Sequence, residues 1–155
     1  MVMLSDDAIS GKEGTVYVIA GERRVPMANV ISCEADVEYN KAEVPVVGNR
    51  AMGYKDNGWS GTGTLTLYYN QSFLRDDLLD YIKNGNSHYY EIEVINDDKG
   101  SRAGRHMTVL KRVKFDSMRV AAMNIDEDSL QEELAFTFED IEIPTRFTDL
   151  PEMAV

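Results

Sequence analysis

Apolar positions recur along this chain mostly at a period of two. Thr15-Val16-Tyr17-Val18-Ile19-Ala20 is a β-branched and aromatic run; Gly21-Glu22-Arg23-Arg24 reads as a turn, and Val25-Pro26 resumes an extended path. The cleanest alternation follows. Ile31, Cys33, Ala35, Val37 and Tyr39 fall on one side of a strand, and Ser32, Glu34, Asp36 and Glu38 on the other. Such a period predicts a half-buried strand with an acidic open face. Leu65, Leu67 and Tyr69 alternate with Thr64, Thr66 and Tyr68 in the next strand. Further strands are predicted over 89–95, 106–115 and 118–123. In the last one Leu134, Phe136 and Phe138 alternate with Glu133, Ala135 and Thr137, and a phase slip before Ile141 marks a bulge or the strand's end.

Two segments depart from this period. Leu74, Leu78, Tyr81 and Ile82 recur at helical spacing, with Ser72 at the N-cap position, Asp76 and Asp77 near the start and Gly85 at the C-terminal stop. Residues 40–60 are apolar in places and interrupted by Gly and Pro, which predicts a long loop. Val44, Val46, Val47, Met52 and Tyr54 within it are costly to leave in water. They must cover their own domain or insert into a neighbour. Many short strands and one amphipathic helix predict a mostly β fold, an antiparallel β barrel or sandwich with one flanking α-helix, in a single domain over 1–155.

With 155 residues and 17.5 kDa the chain is long enough for one core. A compact monomer of this mass would expose roughly 7,900 Å². No apolar run reaches the roughly 20 residues of a membrane span, and the start turns acidic at once, unlike a signal peptide. The single Cys33 excludes an internal disulfide and a cysteine-built zinc site. The net charge of −11 argues against general affinity for nucleic acid. The charge is uneven: residues 99–120 carry seven basic side chains against one acidic, inside an otherwise acidic chain. Either this segment meets another molecule or copy, or an acidic neighbour in the same subunit neutralises it.

Candidate chemistry is thin. His88 and His106 have no carboxylate or serine at a triad-like spacing, and Cys33 reads as a small buried hydrophobe. Gly61-Thr62-Gly63 leads into a strand without a Lys, so it is no phosphate loop; Asn124–Ser129 lacks the glycine and distal glutamate of a calcium loop. No cofactor, metal or catalytic residue is expected, and an enzyme is the weaker reading.

The stretch from Met52 to Tyr69, MGYKDNGWSGTGTLTLYY, resembles the tail tube proteins of contractile-tailed phages, in the branch of the defective PBSX prophage of Gram-positive bacteria. Leu134–Pro144, with its FTFED core, and Ser10–Tyr17 fit the same family. The resemblance implies a tail-tube fold shared with type VI secretion tubes. Hexameric rings would stack into a hollow inner tube that conducts DNA from the head into the host. Implied partners are further copies, the sheath and tape-measure proteins, the baseplate hub and the tail terminator, in a virion tail assembled in the host cytoplasm. DNA would pass without specific binding, and this chain would not insert into a membrane. Glu34, Asp36, Glu38, Thr64 and Thr66 become candidates for the channel wall, since an acidic lining repels phosphates that Lys and Arg would hold. Val44, Val46, Val47, Met52 and Tyr54, with Lys111, Arg112 and Lys114, become candidates for contacts between subunits. An N-terminal arm over about 1–13, with apolar Met1 to Ile9, is a candidate for contacts between rings. A headless bacteriocin particle or a type VI tube shares these expectations; a small-ligand-binding β barrel is a rival that needs an apolar cavity.

Overall fold

A computed structural model describes residues 4–7, 14–27, 29–70 and 72–147. Eight strands and one helix follow in the order β1 (Gly14–Ala20), β2 (Arg23–Pro26), β3 (Val30–Val44), β4 (Gly53–Tyr68), α1 (Phe73–Asn84), β5 (Tyr90–Asp97), β6 (Arg105–Phe115), β7 (Gln131–Phe138) and β8 (Asp140–Thr145). All pairings are antiparallel, in the strand order β2-β1-β5-β6-β7-β4-β3, with β8 added to β6. β6 serves two layers. Most of its length pairs with β5 and β8, while Lys114 and Phe115 pair with Thr137 and Phe136 of β7. One sheet thereby turns over onto itself, and the apolar sides of its two halves face each other.

The core forms between those halves. Val16 and Val18 of β1, Ile92 of β5 and Leu110 and Val113 of β6 meet Leu65 and Leu67 of β4 and Leu134, Phe136 and Phe138 of β7. This packing fills the space that a ligand-binding barrel would need to keep open. α1 caps one end and drives Leu74 into the core, 1% exposed. Arg75 fixes the helix to β7 by an ion pair with Glu132, which is 3% exposed. Arg75 also stacks over the Tyr69 ring.

Gly61 and Gly63 of β4 oppose Phe138 and Phe136 of β7. A Cβ on Gly63 would stand 2.3 Å from Phe136 Cζ and 2.6 Å from the Glu34 carbonyl oxygen; one on Gly61 would stand 2.3 Å from Phe138. The Gly-Thr-Gly motif thus makes room for two aromatic rings against the backbone of the neighbouring strand. Its threonine points to the other face.

Several expectations need correction. Residues 40–60 are not a long loop: β3 continues to Val44, β4 begins at Gly53, and only 45–52 turn the chain. The irregularity read from the sequence is a bulge. The register slips between Tyr39 and Lys41, opposite Gly58 at φ 85°. This left-handed glycine absorbs the extra residue without ending the ladder. No strand forms over 118–123; its backbone is tied sideways instead, with Val120 O accepting from Tyr69 Oη at 3.0 Å. Ile31 leaves the apolar row at a second register shift and is 43% exposed. α1 spans the expected residues and Gly85 caps it at φ 73°, but Ser72 makes no side-chain cap bond. Tyr81 and Ile82, 56% and 62% exposed, do not reach the core, because the helix overhangs it in its second half. The phase slip after Phe138 is the end of β7, where the chain crosses to β6 as β8. The arm expected over 1–13 lies outside the described residues apart from 4–7, where Leu4 is exposed and Asp6 O accepts from the Arg102 N–H at 3.0 Å.

Replacing Gly63 with Val is expected to destabilise the fold by about 1–3 kcal/mol through overpacking. Phe136→Ala is expected to cost about 3–5 kcal/mol through the cavity it leaves. Urea midpoints of the two variants measure both; an unchanged midpoint for Gly63→Val would refute the close ring-on-backbone contact.

Candidate functional site

Register decides what the open face of the β3-β4-β7 layer carries. Directly opposed residues share a face. Glu34 lies across from Thr64 and then Ala135; Asp36 from Thr62 and Thr137; Ser32 from Thr66 and Glu133; Glu38 from Ser60. The candidates Glu34, Asp36, Glu38, Thr64 and Thr66 are therefore brought together on one surface. The carboxylates are exposed and the two threonines half-buried. Ser60, Thr62, Glu133 and Thr137 complete the surface and went unassigned on sequence grounds. Their signal, the same two-residue period, is present in β4 and β7, but only the pairing register joins the strands. These rows hold carboxylates and hydroxyls and no Lys or Arg. The cation at their margin, Lys114 across from Thr137, donates to Ser87 Oγ and lies over the Tyr89 ring at 4.3 Å.

β7 ends at Phe138, opposite Gly61. β3 and β4 run on beyond that point as a two-stranded ribbon, from Val37 and Ser60 to the turn at 45–52. At about 3.3 Å per residue the ribbon extends roughly 25 Å past its neighbour. Its residues are exposed on both faces. Val47 is 103% exposed, Tyr54 64%, Val46 49%, Met52 46% and Val44 39%. Of the two fates open to these residues, cover of their own domain is excluded. An isolated two-stranded ribbon is marginal in water, so this one has the character of a surface meant for a neighbour.

The basic strand β6 is largely neutralised within the chain. Lys111 pairs with Glu142 at 2.9 Å and Arg112 with Glu139, both from the segment leading into and through β8. Hydrogen bonds to these carboxylates hold the Lys111 and Arg112 pKa values above their ordinary range. Of the alternatives read from the sequence, neutralisation by an acidic neighbour in the same subunit therefore accounts for Lys111 and Arg112.

Sequence spacing also missed the pair His88 and Asp80, whose Nε2 and Oδ2 stand 2.9 Å apart. Asn84 and Asn86 donate to the same carboxylate, and these bonds, Asn84 first, hold Asp80 below the usual range. The group fastens the segment after α1 to the helix. Ser87, the hydroxyl nearest in sequence, is taken by Lys114. Among the described residues no group of three His, Cys, Asp or Glu side chains is set to hold a metal.

This arrangement, an acidic sheet face and a ribbon awaiting a partner on a filled core, is that of a structural subunit. The family model described as phage tail tube protein matches residues 1–145. The chain belongs to the phage tail tube protein family. It is 38% identical to the phage-like element PBSX protein XkdM of Bacillus subtilis (strain 168), over 96% of this chain and 99% of that one. Its fold is similar to a chain of the anti-feeding prophage baseplate, solved with 6-fold symmetrisation, at a TM-score of 0.66 and 11% identity, covering 90% of this chain and 97% of the other. It is also similar to a chain of the extracellular contractile injection system PVC sheath-tube complex in its extended state, at a TM-score of 0.63 and 14% identity, covering 88% and 90%. The mostly antiparallel β fold with one helix is the tail-tube fold, and the chain's role is that of a tube protein, a structural one.

Cys33 reports on the layer from its inner side. It opposes Leu65, and burial, with Glu34 beside it, pushes its thiol from 9.0 up to about 11. The thiol is therefore neutral throughout the physiological range and unreactive. Alkylation of the native protein by iodoacetamide is expected to rise with a midpoint near pH 11, against near 9 once urea unfolds the chain. A native midpoint at the unfolded value would contradict the inward orientation of this row.

Proposed function

We propose that six copies of this chain close into a ring, that rings stack into the inner tube of a phage or phage-like contractile tail, and that the carboxylate and hydroxyl face lines the channel. The observation that carries the reading is the composition of that face. Four carboxylates, Glu34, Asp36, Glu38 and Glu133, share it with hydroxyls, and its rows hold no cation. A phosphate backbone gains affinity chiefly from Lys and Arg that release its counterions. A wall of this kind offers DNA no such anchor and lets it slide.

The edges of the layer favour a ring. β3 is the terminal strand of the sheet and presents its outer edge over Val30–Val44. An open edge of that length associates unless something covers it. Pairing of β3 with the margin of the next copy's layer, near Lys114 and Phe115, would join the acidic faces into one continuous barrel. The ribbon, with Val44, Val46, Val47, Met52 and Tyr54, docks onto an adjacent subunit. The family match over residues 1–145 supports one tail-tube domain. Sheath, tape-measure protein, baseplate hub and terminator are the implied partners, and assembly takes place in the host cytoplasm. Met1 to Ile9 remain the candidate for contacts between rings.

Changing Glu34, Asp36 and Glu38 together to Lys is expected to leave tubes intact and slow the exit of DNA. Ejection at the ordinary rate from particles built with the triple variant would refute the lining. Val46→Asp with Val47→Asp is expected to yield folded, soluble monomer and no tubes by electron microscopy; tubes of ordinary length would refute a docking role for the ribbon.

A further inference from the structure

We propose that the ribbon tip of one copy seats on the loop 120–130 of a second copy, at the opposite end of the same layer, so that copies stack head to tail. The inference rests on the tube reading and adds the surface that receives the ribbon. β4 runs the full length of the layer. Gly53 stands at the ribbon tip, and Tyr68 at the far end lies opposite Gln131 of β7. At about 3.3 Å per residue the two ends are roughly 50 Å apart.

The loop is built at that far end and held at both of its own ends. The Tyr69 N–H donates to Leu130 O at 2.9 Å, and Tyr69 Oη donates to Val120 O at 3.0 Å. Arg119 is fixed from both sides: Arg75 Nε donates to its carbonyl at 2.9 Å, and its own Nη1 donates to Gln131 O at 2.8 Å. Between these anchors the loop presents apolar side chains to water. Val120 is 66% exposed, Met123 96% and Ile125 96%. Tethers this close to apolar tips this open describe a prepared surface rather than a collapsed one.

Charge selects the occupant. Residues 40–55 carry Lys41, Arg50 and Lys55 against Glu43 alone, whereas 120–130 carry Asp126, Glu127 and Asp128 and no Lys or Arg. Tip on loop therefore brings apolar side chains together inside opposite charges. Tip on tip would oppose cations, and loop on loop would oppose three carboxylates to three. Two different, complementary patches make a heterologous contact, which does not close on a pair and propagates as an open stack.

Val47→Cys and Ile125→Cys in one chain, with Cys33→Ser, test the pairing. Mild oxidation is expected to give a reducible ladder of multimers from this chain. A chain carrying one of the two new cysteines alone is expected to give none; dimers through Val47→Cys alone would mean tip-to-tip contact and overturn the proposal. Charge provides a second arm. Arg50→Glu with Lys55→Glu is expected to abolish tubes while the circular dichroism of the fold stays unchanged, and adding Asp126→Lys with Asp128→Lys to restore them. Tubes that form without a 47–125 link overturn the pairing alone; an unmodified chain that stays a folded monomer at high concentration counts against the tube reading itself.

Discussion

Two phenylalanine rings lying on two glycines set the register from which the rest of the molecule follows. Phe136 over Gly63 and Phe138 over Gly61 lock β7 to β4. β4 in turn locks β3, with Ala35 across from Gly63 and Val37 across from Gly61. In a strand pair a slip of one residue exchanges the two faces. The contact that builds the core therefore also decides that Glu34, Asp36, Glu38 and Glu133 stand together outside it. Interior and functional surface are two sides of one constraint, since each strand contributes alternate residues to both.

The same contact marks where the core stops. Phe138 is the last residue of β7, and the β3-β4 ladder continues past it with nothing on either face. The chain exposes 10941 Å², well above the roughly 7,900 Å² of a compact monomer of its mass, and the bare ribbon contributes to that excess. A ribbon with solvated hydrogen bonds and little buried area belongs to the low-stability end of a structure. Covering it with a neighbour couples its order to assembly, and the ordering cost falls on the interface. A subunit that finishes its own packing only in contact with another copy is suited to a polymer.

Charge divides the labour between surfaces. The basic residues Lys111 and Arg112 are spent inside the chain on Glu142 and Glu139, so the positive segment tightens the β6-β8 seam. The acidic open face has no such internal balance, and the ribbon and the 120–130 loop carry opposite excesses at opposite ends of one layer. Repulsion of a polyanion and attraction between copies are thus assigned to separate places and do not compete.

Period and turn chemistry are local properties, and what depended on them was legible in order along the chain. They yield β1, the acidic and apolar sides of β3, the inward row of β4 and β7, the helix from Phe73 to its Gly85 stop, and Cys33 as an inward group. The motifs from Met52 to Tyr69 and around Phe136 carry the family. Where a strand ends against its neighbour is not local. That residues 40–60 are strands rather than loop depended on a ladder closing across the Gly58 bulge, and the solvation of Tyr81 and Ile82 on the overhang of a helix whose first turn alone meets the core. The membership of Ser60, Thr62, Glu133 and Thr137 in the acidic face, the capture of Lys111 and Arg112 by β8, and the gathering of apolar and charged groups at the two ends of the layer were settled by pairing between distant segments. An alternating pattern states which side of a strand each residue occupies; only the folded chain states which strand lies beside it and how far that neighbour reaches.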